Sequence, residues 1–159
     1  MLDSNAFRRA RISNSISFFI NGLTQGVFVA RIPDLKHQLA ISNMQLGIAL
    51  FFGSFGVLSS MKVAGWSCAK FGSGPSVRVL NFGLLIFPIF VGLNFGLPFF
   101  CIALFCNGFF LAAQDVSMNG LGSTLEVNSN KRIMSGFHAL WSVGTLAGGA
   151  FGGLCNQLK

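Results

Sequence analysis

The sequence has 159 residues, of which 52% are hydrophobic and 9% charged, and its mean hydropathy is +0.66. A soluble domain usually carries about a quarter charged residues, so this composition excludes an ordinary water-soluble domain and predicts an integral membrane protein. The net charge is +7, but the basic residues stand in short groups between apolar runs. A nucleic-acid-binding protein would gather them on one patch or helix face. We therefore expect contact with a lipid bilayer and with no nucleic acid.

The cysteines and histidines give no sign of a metal or cofactor site. None of the four cysteines belongs to a Cys-x-x-Cys pair, and the chain holds only two histidines. The ligand spacing that metal sites require is therefore missing, and we expect no metal and no cofactor. Because neither a nucleophile nor a metal cluster accompanies the ionisable residues, we do not expect an enzyme.

The first apolar segment, residues 12–30, follows Arg8, Arg9 and Arg11, which is the charge order of a signal peptide. The segment continues for about 19 residues and lacks the small-x-small pattern of a cleavage site. We interpret it as a retained first transmembrane helix.

Uncharged runs predict an all-α membrane protein, a polytopic helical bundle with about five transmembrane helices in one domain. The run over residues 79–114 would reach about 54 Å as one helix, which is too long for a ~30 Å hydrocarbon core. The turn residues of Asn94-Phe-Gly96-Leu-Pro98 divide it. The predicted spans are residues 12–30, 44–61, 79–93, 99–122 and 133–154.

Lysine and arginine are distributed unevenly between the two sides of these spans. Three lie on one side, namely Arg31, Lys36 and Lys159. Eight lie on the other, namely Arg8, Arg9, Arg11, Lys62, Lys70, Arg78, Lys131 and Arg132. The positive-inside rule then predicts a cytoplasmic N-terminus.

Glycines four positions apart recur in the predicted spans. Such spacing lets helix backbones approach closely in lipid, and we interpret it as general helix packing rather than a dedicated dimer motif. The pairs are Gly22 with Gly26, Gly92 with Gly96, Gly144 with Gly148, and Gly149 with Gly153.

Polar side chains form stripes on three predicted spans. The first span carries Asn14, Ser17, Asn21 and Gln25 within about 80° of arc. Amides exposed to lipid are costly, so the stripes should face one another or a wet cavity. Hydrogen bonding between helices and a shared aqueous path are both consistent with this pattern. The fourth span has Asn107, Gln114 and Met118 on one face, with Asp115 beside it, and the stripe of the fifth comprises Ser135, His138, Ser142 and Thr145.

The link "GWSCAKFGSGPSVR" after the second span resembles the Gly-x-x-x-Asp-Arg-x-Gly-Arg-Lys/Arg loop of the major facilitator superfamily of transporters. Gly65, Lys70 and Gly72 match that motif, while Ala69 replaces its aspartate. The resemblance implies a cytoplasmic loop motif at these three positions and a partial N-terminal half of the superfamily's transmembrane fold.

The segment "QDVSMNGLGSTLEVNSNKRIMSGFHALWSVGTLAGG" resembles the fucose-permease-like branch of bacterial inner-membrane proteins. In that branch, a carboxylate on the fourth helix with an asparagine four residues on is associated with proton coupling, and Asp115 and Asn119 match it. A polar pair on the fifth helix faces substrate there. His138 and Trp141, which precede Ser142, occupy those positions.

The resemblance implies a fragment of a proton-coupled secondary transporter in the inner membrane that moves a sugar-like or similar small solute. Asp115 is the candidate proton carrier. The alternative is that the fourth helix ends early and Asp115 pairs with Lys70 or Lys131 at the surface. The candidate residues for the substrate cavity are Asn21, Gln25, Asn107, Gln114, Asn119, His138, Trp141 and Ser142.

A superfamily transporter has two six-helix halves that rock about one substrate site, whereas five spans are predicted here. We therefore expect no transport by this chain alone, and a separately encoded C-terminal half is one expected partner. A small membrane scaffold or subunit that packs against a partner membrane protein is the alternative function.

Overall fold

A computed structural model describes residues 3–157, which form five α-helices joined by short links. The helices are α1 (Ser4–Gln38), α2 (Asn43–Phe71), α3 (Ser73–Val91), α4 (Leu97–Ser129) and α5 (Met134–Gln157). The all-α fold class predicted from the uncharged runs is confirmed. Lys159 lies outside the described residues.

Within residues 3–157, three helices are long and apolar enough to cross a membrane: α2, α3 and α4. Helices α1 and α5 are 35 and 24 residues long, which exceeds the ~20 residues that a crossing needs. Helix α1 is less hydrophobic than the other four helices. That α1 and α5 also cross stays a prediction.

The helices extend beyond the predicted spans. Helix α1 continues through Pro33, and Arg31 pairs with Asp34 one turn further along it at 3.5 Å. Helix α2 continues to Phe71, so Gly65 and Lys70 lie in a helix. Their predicted placement in a loop is wrong.

Two glycines with positive φ lie at the links between helices. Gly72 has φ +85° between α2 and α3, and Gly96 has φ +87° immediately before α4. Such angles favour glycine because it has no Cβ. Pro98 follows in the first turn of α4, where its missing N–H costs nothing. The predicted break at residues 94–98 is confirmed.

Close glycine contacts join the helices in pairs. A Cβ on Gly22 or Gly26 of α1 would collide with backbone of α5, and a Cβ on Gly144 or Gly148 would collide with backbone of α1. In the same way, α2 packs closely on α4 through Gly56. Within residues 3–157, the predicted packing role is therefore confirmed for these two glycine pairs.

The other two glycine pairs do not pack helices together. Gly92 and Gly96 lie at the link between α3 and α4, and a Cβ on Gly149 or Gly153 would meet only open space. Helix α3 packs mainly on α4. The resulting bundle has α1 and α4 at its centre, and each of these carries buried polar residues.

Candidate functional site

Three polar side chains from three helices form the centre of a buried hydrogen-bond network. Asn21 of α1 donates from Nδ2 to Oε1 of Gln114 on α4 at 2.5 Å. Trp141 of α5 donates from its indole nitrogen to Oδ1 of Asn21 at 2.9 Å. Asn21 is 3% exposed and Gln114 0%. A single asparagine therefore connects the central helices to α5.

The network continues onto α3. Gln114 donates from Nε2 to Oδ1 of Asn81 at 3.1 Å, and Asn81 donates from Nδ2 to the Ser17 hydroxyl, also at 3.1 Å. Asn81 was not among the candidate residues from the sequence. It is the one amide in the apolar run over residues 79–93. An isolated amide in an apolar segment was the feature of the sequence that pointed to it.

The network decides between the two interpretations of the polar stripes for part of the set. Asn21, Gln114 and Trp141 face one another inside the bundle, and their polar groups bind each other. Hydrogen bonding between helices explains their position without a solute. A buried amide that is fully hydrogen-bonded avoids the cost of desolvation.

Gln25 and Asn107 lie against a cavity instead. Together with apolar residues of α1, α2 and α4 they line a space of about 250 Å³. Asn107 is 8% exposed, so its amide faces this space rather than open surface. This volume is slightly below the range of about 300–1,000 Å³ that is usual for small-ligand sites.

Four polar residues occupy an exposed surface on α4 and α5, here called the α4–α5 polar face. It consists of Asp115, Asn119, His138 and Ser142, of which Asn119 is half-buried. Asn119 donates to the Asp115 side chain at 3.2 Å and to its carbonyl at 2.9 Å. The His138 ring packs edge-on against Phe18 at 5.3 Å.

Asp115 lies in the middle of a long helix. Helix α4 runs without interruption to Ser129, so the alternative in which it ends early is wrong. At 1.5 Å per residue, Asp115 is about 27 Å from the start of α4 and about 21 Å from its end. Among residues 3–157 the recorded ion pair is Arg31 with Asp34, and neither Lys70 nor Lys131 pairs with Asp115.

One residue that matches the transporter loop motif, Lys70, lies in a small aromatic cluster at the end of α2. The ammonium group of Lys70 lies 4.9 Å from the ring centre of Trp66 and 5.3 Å from that of Phe71. Gly72 provides the sharp turn into α3. Within the described part of the chain, no three His, Cys, Asp or Glu side chains come together to hold a metal ion.

Two known proteins that are similar to this chain in sequence are transporters. The chain is 30% identical over 135 residues to an uncharacterized transporter, y4wD, of Sinorhizobium fredii. It is also 30% identical over 139 residues to an uncharacterized MFS-type transporter of Yersinia pestis. These alignments cover 85% and 87% of this chain but 36% of each relative.

No family model matches the sequence, and no solved structure matches it significantly. Both relatives are transporters rather than enzymes, in agreement with the absence of a catalytic constellation in the sequence. The chain is thus related to transporters of the major facilitator superfamily over about a third of their length.

Proposed function

We propose that this chain supplies the first helices of a proton-coupled secondary transporter that moves a small solute across the inner membrane, with its N-terminus in the cytoplasm. The observation that carries the proposal is the exposed carboxylate of Asp115 in the middle of α4. A carboxylate in the middle of a transmembrane helix costs free energy unless it is hydrated, paired with a positive charge or protonated. By default, such a residue indicates function.

The α4–α5 polar face provides what a reversible proton site needs. Asn119 holds the Asp115 carboxylate from one turn away, and His138 places an exposed imidazole on α5, in the same polar face. Neither group is committed to a salt bridge within residues 3–157. A proton could therefore bind and leave without breaking a structural ion pair.

A polar face at the centre of a membrane helix must be covered by water or by protein rather than by lipid. In transporters of this superfamily the substrate lies between two bundles, and transport requires both to rock about it. We propose that the α4–α5 polar face turns toward such a second bundle. Gln25 and Asn107, which line the 250 Å³ cavity, are the remaining solute-contact candidates. Asn21, Gln114 and Trp141 hold the helices together through their hydrogen bonds.

Infrared titration of the chain in lipid vesicles tests the proton role. A protonated carboxyl group has its own carbonyl stretch, and we expect one such band to appear and disappear with pH in the wild type and to be missing in Asp115→Asn. The matched control is Asp34→Asn, because Asp34 is paired with Arg31 on α1. An unchanged titration in Asp115→Asn would overturn the assignment.

Uptake measurements test the transport part separately. Vesicles that hold only this polypeptide should not accumulate solute, because a second bundle is missing from them. Uptake by these vesicles would contradict the two-bundle proposal. The scaffold alternative shares the exposed polar face but needs no proton. It would be favoured if Asp115→Asn still crosslinks to a partner membrane protein while the infrared titration is unchanged.

A further inference from the structure

A cavity of about 360 Å³ lies where α1, α3 and α4 meet, at the end of the bundle that holds the N-terminus. Arg9 of α1 and Arg78 of α3 both line it. They come from different helices, so the fold rather than the local sequence brings the two guanidinium groups to one space. Their side chains are exposed and can reach a molecule that enters the cavity.

Neither guanidinium group has an acidic partner in the described structure. The chain has four acidic residues. Asp34 pairs with Arg31, Glu126 binds the start of α5, and Asp115 is held by Asn119 on the polar face. Asp3 at the start of α1 forms no ion pair within residues 3–157. The cavity therefore carries two uncompensated positive charges.

The start of α3 adds a third favourable element for an anion. Gly74, in the first turn of α3, lines the same cavity. Gly72 precedes the helix, which has no side-chain cap and no acidic residue in its first turn. The first N–H groups of a helix have no partner inside it and attract anions, above all phosphate. In α3 these are the N–H groups of Ser73 and Gly74, because Pro75 has no N–H and the N–H of Ser76 donates to the Gly72 carbonyl.

Apart from Ser13, the rest of the wall is apolar, and it lies beside the first turns of a helix that is long and apolar enough to cross a membrane. Ala10, Val77 and Leu121 contribute to it, and α3 is long and apolar enough to span from Ser73. A soluble phosphate ion does not need such a wall. A phospholipid does, because its glycerol and acyl chains adjoin the phosphate group.

From these four features, we infer that the cavity binds the phosphate of an anionic phospholipid headgroup, with Arg9, Arg78 and the start of α3 as its ligands. Basic pockets between transmembrane helices at the membrane surface favour such headgroups. Phosphate accepts paired hydrogen bonds from guanidinium groups particularly well. The bound lipid would hold α1 against α3 at this end of the bundle.

Lipid titration of the purified chain in a neutral detergent tests the inference. We expect phosphatidylglycerol to bind at least about tenfold more tightly than phosphatidylcholine, which has no net charge. In the double variant Arg9→Gln/Arg78→Gln, phosphatidylglycerol should bind about thirtyfold more weakly, since each arginine near a membrane surface contributes about 1 kcal/mol.

The matched control is Arg8→Gln/Arg132→Gln, which removes the same charge from two exposed positions that do not line the cavity. This control should retain phosphatidylglycerol affinity within about threefold, because charges outside the cavity are screened by salt. Circular dichroism and gel filtration establish first that all variants fold.

Two results would overturn the inference. One is an equal loss of affinity in the control, which would mean that net charge rather than the cavity attracts the lipid. The other is displacement of the lipid by inorganic phosphate with an affinity equal to that of phosphatidylglycerol, which would make the cavity a small-anion site. Weak or absent competition by inorganic phosphate, together with selective loss in Arg9→Gln/Arg78→Gln, supports the lipid headgroup.

Discussion

Asn21 of α1 and Gln114 of α4 share a hydrogen bond of 2.5 Å at the centre of the bundle, where both side chains are almost completely buried. Each of these amides has donors and acceptors that this one hydrogen bond does not use. Asn21 also accepts from Trp141, and Gln114 also donates to Asn81. The pair therefore fixes the relative positions of four helices.

Removing the Asn21 amide should destabilise the bundle. Asn21→Ala leaves the Trp141 indole N–H without its acceptor, and we expect a loss of about 1–2 kcal/mol in the free energy of unfolding. Unfolding by sodium dodecyl sulfate in mixed micelles, followed by circular dichroism, measures the change. The control is Asn5→Ala at an exposed position of α1. Equal losses in the two variants would contradict a structural role for the network.

The glycines of α5 should differ sharply in their tolerance of alanine. A Cβ on Gly148 would collide with the backbone of Leu23 and Val27, which cannot move aside. Gly148→Ala should therefore cost about 1–3 kcal/mol. Its neighbour Gly149 faces open space, and Gly149→Ala should be neutral or stabilising by up to about 1 kcal/mol, because alanine favours helix.

The same detergent unfolding assay compares the two glycine variants directly. If Gly149→Ala destabilised the protein as much as Gly148→Ala, the packing of α1 against α5 described above would be wrong.

Glu126 should stabilise the start of α5 from the end of α4. One oxygen of its carboxylate accepts hydrogen bonds from the backbone N–H groups of Ile133 at 2.7 Å and Met134 at 2.8 Å. A negative charge there also interacts favourably with the helix dipole. We expect Glu126→Ala to lower stability by about 1–2 kcal/mol and Glu126→Gln by less, since the amide keeps one acceptor.

Asp3 provides the control for Glu126, because it precedes α1 without any side-chain hydrogen bond to that helix. Asp3→Ala should change stability by no more than about 0.5 kcal/mol. Hydrogen exchange of the first turn of α5 locates the effect. Unchanged exchange there in Glu126→Ala would argue against the cap.

Gly72 should resist substitution for a conformational reason. Its φ of +85° and ψ of 154° lie in a region that is essentially restricted to glycine, where other residues pay about 1–3 kcal/mol. We expect Gly72→Ala to destabilise the link between α2 and α3 by that amount, measured by the same unfolding assay. Gly74→Ala is the control, because Gly74 has helical geometry and an added Cβ would meet no other atom there. A larger loss in Gly74→Ala would contradict this reason.

The sequence predicted the helices better than the links between them. The turn at residues 94–98 was recognisable because glycine and proline have strong local preferences. The continuation of α2 through Gly65 and Lys70 was not recognisable from the sequence. The transporter motif suggested a loop, and a segment that contains charged residues gives only a weak helix signal. Gly72 alone marks the end of that helix, through its positive φ.

The sequence by itself determined the membrane environment, the five helices and the faces on which polar residues lie. All of these follow from composition and from a helical repeat of 3.6 residues, which are local properties. Only the tertiary structure decided which polar residues meet. It joined Asn21 to Gln114 and Asn81, and it left Asp115 and His138 on an exposed face. The physical reason is that a hydrogen bond between helices depends on their rotation and distance, which residues far apart in the chain fix together.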